Sequence, residues 1–292
     1  MKRYIFPLTI FLIISCNVFA QSHLDAYRFS QQDYEGTARF TSMGGAFGAL
    51  GGDFTSLSLN PAGVGVYRSS EFTITPTISY NKVNSDYMGI STKDSRTRFG
   101  LSNVGYVGAF LTGREDGLVS LNVGIGYTKT MNYSRKTAMQ GNLTNASIID
   151  YILPRADNFI PNQLGSEQAY NQIKAPYWDV VMAYGSKAIF MDVDGFYNSP
   201  LSPDDRVKKE RYTTQSGYNG EYVFSFGGNI SNKFYFGATL GIQDISYENF
   251  VEYWEVAENG YVGNLDNLRY EEHFRISGTG YNGKFGAIYR PI

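Results

Sequence analysis

Few side chains in this sequence are suited to catalysis. The chain contains two histidines, His23 and His273. A hydrolase needs a serine in hydrogen-bond contact with a histidine, and Ser277 is the serine nearest to His273 along the chain. If both lie on one strand, their side chains are two alternate positions apart, which is beyond hydrogen-bond reach. We therefore predict that the chain has no catalytic residues and is not an enzyme.

Two other stretches have partial likeness to ligand-binding loops. Residues 44–63 read GGAFGALGGDFTSLSLNPAG, but the glycines are spaced G-x-x-G-x-x-G and no apolar strand precedes them, so the dinucleotide fingerprint is not met. Residues 192–195, DVDG, lack the third acidic position and the closing glutamate of a calcium loop. We interpret them as a solvated loop. The sequence predicts neither a cofactor nor a metal.

Composition limits the classes of partner. The 292 residues carry a net charge of −2, so no basic face for nucleic acid is indicated. The chain is 42% hydrophobic and contains 24 Tyr, 20 Phe and 32 Gly. Beyond the first residues no apolar run is long enough for a transmembrane helix. Strands of a membrane barrel alternate in hydrophobicity, so they remain compatible with this composition.

The amino terminus has the features of a signal peptide. Lys2 and Arg3 precede an apolar core, and small residues at Val18 and Ala20 fit a cleavage site. We predict that residues 1–20 are removed on export. The only cysteine, Cys16, lies in IISC, which loosely resembles a lipoprotein processing site, so lipidation remains an alternative.

Alternation of apolar with polar or small residues predicts about six strands. In residues 118–133, Leu121, Val123 and Ile125 share one face, whereas Asn122 and Gly124 share the other. The same scheme occurs in residues 72–80, 98–111, 222–230, 234–242 and 268–290.

Three details of these strands are predicted from the same pattern. In residues 98–111 we place Val107 and Ala109 on the face of Phe99. In residues 234–242 the apolar phase ends before Asp244. In the last strand the phase changes near a set of glycines, which predicts a bulge or kink there. These glycines are Gly278, Gly280 and Gly283.

A membrane barrel and a soluble sandwich share this alternation, and the connections favour the barrel. They are long (82–97), short (112–117), very long (134–220), short (231–233) and long (248–267). Outer-membrane barrels pair long outside loops with short periplasmic turns. We therefore predict an all-β, antiparallel, up-and-down transmembrane β-barrel at residues 71–292.

The very long connection contains two segments with apolar residues at helical spacing, and Pro154 and Pro161 interrupt the first of them. We predict a helix-containing extracellular loop. Its helices could simply pack on the barrel mouth, or they could form an apolar groove for hydrophobic ligands. The groove candidates are Ile148, Ile149, Ile152, Trp178, Val181 and Met182.

Residues 21–70 precede the first strand and lack alternation, and we predict that they form a plug inside the barrel. A segment that folds against backbone on all sides needs small residues and glycines that can adopt positive φ. NPAG then fits a tight turn. The predicted gating residues are Gly44, Gly45, Gly48, Gly51, Gly52, Asn60, Pro61, Ala62 and Gly63.

This plug resembles the amino-terminal hatch of the long-chain fatty-acid transporter family of outer-membrane β-barrels. The likeness lies in the Gly/Ala-rich run at 44–52, Asp53, the small residues at 55–58 and Asn-Pro-Ala-Gly at 60–63. It implies a monomeric, plugged barrel of about fourteen strands in the cell outer membrane of a Gram-negative bacterium. The implied partners are outer-membrane lipid and hydrophobic small molecules such as long-chain fatty acids, which enter passively.

The chain departs from this family in its number of strands. About six strands cannot enclose a lumen, so we expect the sequence to be the front portion of a longer protein. A different role remains open, in which the barrel docks proteins for an outer-membrane secretion system. The charged stretch at 202–214 is the candidate docking patch.

Overall fold

The structure is a computed structural model that describes residues 23–201, 206–258 and 267–291. The predicted signal peptide, residues 1–20, lies outside these ranges, as does Cys16. An antiparallel sheet dominates the described residues, with strand order β1-β2-β3-β7-β8-β9 and a short β4 that pairs with β7. Its strands are β1 (Glu71–Tyr87), β2 (Ile90–Leu111), β3 (Leu118–Asn132), β4 (Arg135–Gln140), β7 (Val207–Ile230), β8 (Phe234–Ala257) and β9 (Leu268–Tyr289).

The prediction of an all-β, antiparallel fold is confirmed, whereas the described residues do not form a closed barrel. Consecutive strands pair as hairpins, apart from the long insertion between β4 and β7. Within the described ranges, β1 pairs only with β2, and β9 pairs only with β8. The sheet is therefore open at these two edges.

The strands extend well beyond the predicted segments. Residues 82–97, predicted as a loop, belong to β1 and β2, which meet at a turn of Met88 and Gly89 with φ of 49° and 80°. Likewise β8 continues past Asp244 to Ala257. Alternation reports a contrast between the two faces of a strand. At residues 82–97 both faces are mostly polar, so these strands are paired without that signal. Beyond Asp244, apolar residues such as Tyr247 and Phe250 occur on both faces of β8, so the contrast is lost there as well.

The predicted bulge near the glycines of β9 is wrong. Every residue of β9 pairs with β8 in one continuous register, from Leu268 to Tyr289. Because the strand is unbroken, Phe274 and Ile276 lie on one face, whereas Phe285 and Tyr289 lie on the opposite face. Gly278, Gly280 and Gly283 therefore lie in regular strand.

A register shift does occur on β2, opposite Thr75 and Pro76. Proline has no N–H to donate to the ladder, so strands tolerate it at bulges. The bulge reverses the facing of the rest of β2. Val107 is consequently buried while Tyr106 is exposed, which corrects the predicted placement of Val107 and Ala109 with Phe99.

The segment predicted to be a plug, for which we keep that name, consists of short helices that lie against one face of the sheet. They are α1 (His23–Ser30), α2 (Ala38–Ser42), α3 (Ser56–Leu59) and a 3-10 helix (Pro61–Val66). The 3-10 helix contacts β3, β7, β8 and β9. We call the face of the sheet that it covers the inner face, and the opposite face the outer face.

The insertion between β4 and β7 forms a small helical unit with its own core. The unit comprises α4 (Ile149–Ala156), α5 (Pro161–Leu164), α6 (Ala169–Gln172), α7 (Trp178–Gly185) and the two-stranded β5 (Phe190–Met191) and β6 (Tyr197–Asn198). Helices occupy both segments with helical spacing, although Pro154 lies inside α4 instead of ending it. Pro161 starts α5, where its missing N–H has no helical partner to lose.

Candidate functional site

The two faces of the sheet are reversed relative to a water-soluble protein. On the outer face, Leu240 and Phe285 are 70% and 89% exposed. On the inner face, Asn122, Ser225 and Thr239 are buried. A soluble sheet buries its apolar face and exposes its polar face. Here the plug covers the polar and small residues, while large apolar residues face outward.

The exposed apolar residues form a band that is aligned across the strands. Strand pairing brings Tyr127 beside Tyr222, Tyr222 beside Ile242, and Ile242 beside Tyr281. Eight residue steps farther along β9, Tyr289 pairs with Phe234 at the other edge of the band. At roughly 3.3 Å per residue, the band extends about 26 Å along each strand.

The plug sits on glycines of the inner face. A Cβ atom at Gly105 would lie 2.3 Å from the Phe54 ring, and one at Gly124 would lie 2.6 Å from Leu57 Cδ2. Contacts closer than 3.0 Å are not tolerated by real Cβ atoms. The side chains of the plug can approach the strands only because these positions have no side chain. Further glycines of this seat are Gly126, Gly227, Gly237 and Gly286.

The predicted Asn-Pro-Ala-Gly turn lies at the centre of this seat. The Asn60 side chain accepts from Ala62 N at 3.1 Å and donates to Gly48 O at 2.7 Å. It thereby caps the 3-10 helix that Pro61 begins. Ala62 is completely buried. Gly63 is also buried and its N–H donates to Asn60 O.

The glycine run before this turn has two different parts. Gly44, Gly45, Gly51 and Gly52 have positive φ, between 60° and 79°, a conformation that favours glycine. Gly51 and Gly52 pack against Val66, and Gly51 also meets Gly63. Gly44 and Gly48 are exposed and a Cβ there would meet nothing within 4 Å. Gly44 and Gly48 therefore lie on a free surface of the plug, whereas a Cβ at Gly45 would lie 2.6 Å from the Tyr34 ring.

Polar side chains fasten the plug to the sheet, which we also call the wall. Buried Asn122 on β3 donates to Val64 O at 2.7 Å and to Tyr67 O at 3.0 Å. Lys129 forms an ion pair with Glu35 of the plug at 3.0 Å. Burial raises the pKa of the Tyr67 phenol, and the nearby carboxylates add to the shift. A neutral phenol suits this dry contact.

Asp53, which was singled out in the sequence, holds the plug together internally. Its carboxylate accepts from Thr37 Oγ1 at 2.6 Å and from Thr55 N at 2.9 Å. Thr37 N in turn donates to Thr55 Oγ1 at 2.8 Å. All three residues are buried. The acidic residue thus joins the two halves of the plug.

A second buried carboxylate lies on the inner face of the wall. Glu221 is 1% exposed and accepts from Lys284 Nζ at 2.5 Å and from Asn282 Nδ2 at 2.7 Å. This pair joins β7 to β9 across β8. The sequence contained no signal for it, because the two residues are 63 positions apart.

A polar cavity of about 470 Å³ lies between the sheet and the part of the plug that comprises the end of α1 and the residues after it. Arg28, Asp33 and Glu35 line it from the plug. A smaller cavity of about 220 Å³ lies beside it, where β2 and β3 stop pairing beyond Asn103. The two cavities share Ser79 and Asn132. The smaller one also touches Phe99 and Leu101, whose side chains are exposed on the outer face.

The helical unit divides the predicted groove residues into two groups. Ile149, Ile152 and Val181 are at most 4% exposed and belong to its core, against which Ile148 packs. In contrast, Trp178 and Met182 are 42% and 38% exposed. Trp178 packs edge-to-face with Tyr170, a residue outside the predicted set. Of the six predicted residues, only Trp178 and Met182 therefore lie on the exposed surface of the unit.

The helical unit is attached to the wall by a fully buried carboxylate, Glu255 on β8. Its oxygens accept from Ile148 N at 2.8 Å, from the Ser147 hydroxyl and from the Tyr253 hydroxyl. Ser147 and Ile148 directly precede α4, where helical N–H groups have no internal partner and an anion is favoured. Tyr253 lies on β8, two residues before Glu255.

The residues considered for chemistry are not brought together. His273 Nε2 lies 2.7 Å from Glu248 Oε1, whereas Ser277 pairs with Ser246 on the neighbouring strand. The His23 side chain lies outside the described residues. Asp192 accepts from Asp194 N and Phe196 N, so it closes the turn between β5 and β6.

The described residues contain neither a cluster of metal ligands nor a helix that could span a membrane. No group of three or more His, Cys, Asp or Glu residues in these ranges could hold a metal ion. None of the described helices has the length and apolar character needed to cross a membrane.

The candidate docking patch at 202–214 is not a loop in its described part. Residues 202–205 lie outside the described ranges, and β7 begins at Val207. Two ion pairs involve its charges: Arg206 with Glu258 at 2.7 Å, and Lys208 with Glu210 at 2.8 Å.

Comparison with known proteins gives no relative for this chain. No family model matches it, and neither a curated protein nor a solved structure matches it.

Proposed function

We propose that this chain forms the plugged wall of an outer-membrane β-barrel channel for passive uptake of hydrophobic compounds. The observation that carries this proposal is the reversal of the two sheet faces. Moving an apolar side chain such as Leu240 or Phe285 out of water is worth about 1.5–3 kcal/mol. A chain that exposes many such residues while burying polar ones gains this energy only in an apolar solvent.

The dimensions of the apolar band support a membrane as that solvent. Outer-membrane barrels carry an apolar band about 25 Å tall with aromatic residues at both edges. The band along β9 extends about 26 Å and is bounded by Tyr281 and Tyr289, before allowing for strand tilt. Beyond the Tyr281 edge of the band, the outer face carries Glu248, His273 and Arg275. The aromatic residues thus lie where apolar and polar surfaces meet.

Transport requires a path and weak binding, and no bond chemistry. The plug closes the inner face, and the cavity beside it adjoins the smaller one between β2 and β3. In this proposal a hydrophobic molecule passes the plug and leaves sideways, past Phe99 and Leu101, into lipid. Each buried methylene contributes about 0.8 kcal/mol. Several shallow contacts in series can therefore bind a chain and still release it.

The membrane orientation is tested by tryptophan fluorescence with brominated lipids. Both native tryptophans, Trp178 and Trp254, are replaced by Phe, and one Trp is introduced on β9. We expect Phe285→Trp, on the outer face, to be quenched in vesicles of brominated lipid. Ile288→Trp, on the buried inner face of the same strand and within the same band, is the matched control and should be quenched far less. Equal quenching at both positions contradicts the orientation.

Uptake itself is tested with a labelled long-chain fatty acid in cells that display the protein. Gly100→Phe places a ring between the strands that line the smaller cavity and should lower the uptake rate several-fold. Gly185→Phe, at an exposed position of α7 where a Cβ would meet nothing within 4 Å, is the control and should leave uptake unchanged. Unaltered uptake by both variants argues against the sideways path. The alternative role in protein docking stays a prediction.

A further inference from the structure

The outer face of the sheet carries an apolar furrow with a volume of about 510 Å³. It lies between two rows of side chains that cross the strands. One row contains Ile125, Phe224 and Leu240, and the other contains Val123, Phe226 and Phe285. Small residues interrupt both rows. A Cβ added at Gly283 would meet nothing within 4 Å, and Ala238 stands between Phe226 and Phe285.

The chemistry of the lining admits only an apolar occupant. Lys284 adjoins the furrow, but its ammonium is bound to Glu221 on the inner face at 2.5 Å. Ser225 and Thr239 also adjoin it, and their hydroxyls bond each other at 2.6 Å in the buried interior. The remaining side chains are aliphatic or aromatic.

The length of the furrow fits one hydrocarbon chain. From Tyr106 on β2 to Phe285 on β9 it crosses four interstrand spacings of roughly 4.8 Å, or about 19 Å. A lipid chain spans about half of a 30 Å hydrocarbon core, or about 15 Å. The furrow also lies within the apolar band, between the row of Tyr222 and Tyr281 and the edge at Tyr289. Its depth therefore corresponds to lipid chains and not to head groups.

We propose that this furrow is a binding site for a single acyl chain of an outer-membrane lipid, which rests on the proposed membrane orientation. On a flat wall a lipid chain contacts protein on one side. In the furrow it also contacts the flanking rows, and dispersion attraction grows with each such contact. A chain here should stay bound when the mobile lipid around the protein is removed.

The test is native mass spectrometry of the full chain after extraction from membranes into mild detergent. We expect the wild-type protein to retain one lipid molecule. Gly283→Phe fills the furrow and should lose most of this adduct, and the smaller change Ala238→Val should lower it. Ile78→Phe changes an exposed residue of the same apolar band on β1 and should retain the lipid.

The outcomes separate this site from the proposed function. If Phe285→Trp is quenched by brominated lipid but no adduct survives, the wall faces lipid and the binding site is refuted. If Phe285→Trp is not quenched, the membrane orientation itself fails. An adduct that persists in Gly283→Phe places the lipid elsewhere. A second copy of the chain bound in place of lipid would also overturn the assignment.

Discussion

Gly237→Ala should loosen the plug, because this glycine lies directly beneath the Asn-Pro-Ala-Gly turn. An alanine Cβ would lie 2.2 Å from Pro61 O and 2.4 Å from Pro61 C. Ordinary contacts begin at 3.4 Å, so the turn would have to retreat by more than about 1 Å. The atoms that the new methyl group would meet are backbone atoms of Pro61 and Ala62, so rotation of a side chain cannot relieve the clash.

The size of the effect follows from the contact. Overpacking a closely packed site costs typically about 1–3 kcal/mol. This cost falls on the seated plug alone, since the displaced plug does not meet the new methyl group. Every 1.4 kcal/mol changes an equilibrium tenfold. The population of displaced plug should therefore rise by about 5- to 150-fold.

Cysteine labelling measures this population. Ser56→Cys places a thiol at a fully buried position of the plug, in a chain whose Cys16 is replaced by serine. Maleimide should react faster with this thiol in Gly237→Ala than in the parent. Gly278→Ala, where a Cβ meets nothing within 4 Å, is the control and should react at the parent rate. Equal rates for the parent and Gly237→Ala would refute the seat of the plug.

Two carboxylates provide further predictions. Glu255→Gln should weaken the attachment of the helical unit by about 1–3 kcal/mol, which would be measured as faster hydrogen exchange at α4. Glu258→Gln, which changes an exposed ion pair, is the control and should leave the exchange rate at α4 unchanged. Glu221→Ala leaves Lys284 unpaired beneath the plug and should lower the free energy of unfolding in detergent by about 3 kcal/mol. Glu252→Ala, whose partner Arg269 is half exposed, should lower it by at most about 1 kcal/mol; similar losses for both variants would contradict the burial argument.

Local sequence pattern was sufficient for the class of fold and for the segment that precedes the first strand. Alternation at Leu121, Val123 and Ile125 predicted both strand and facing, because side chains alternate with a period of two. The turn at Asn60 and Pro61 was predictable since its residue types fix the local backbone. Alternation failed where both faces are polar, as at residues 82–97, and on β2 after the bulge opposite Pro76.

Contacts between distant parts of the chain were decided only by the tertiary structure. Which glycines form the seat, such as Gly124 beneath Leu57, depends on the register of several strands against the plug, and no local pattern specifies it. The pairing of Glu221 with Lys284 likewise depends on strand order. Ile149 and Val181 have the spacing of a groove and are core residues, because a helical stripe is apolar whether it faces a ligand or a neighbouring helix. By itself, the sequence determined which surfaces are apolar, and the packing determined what each surface contacts.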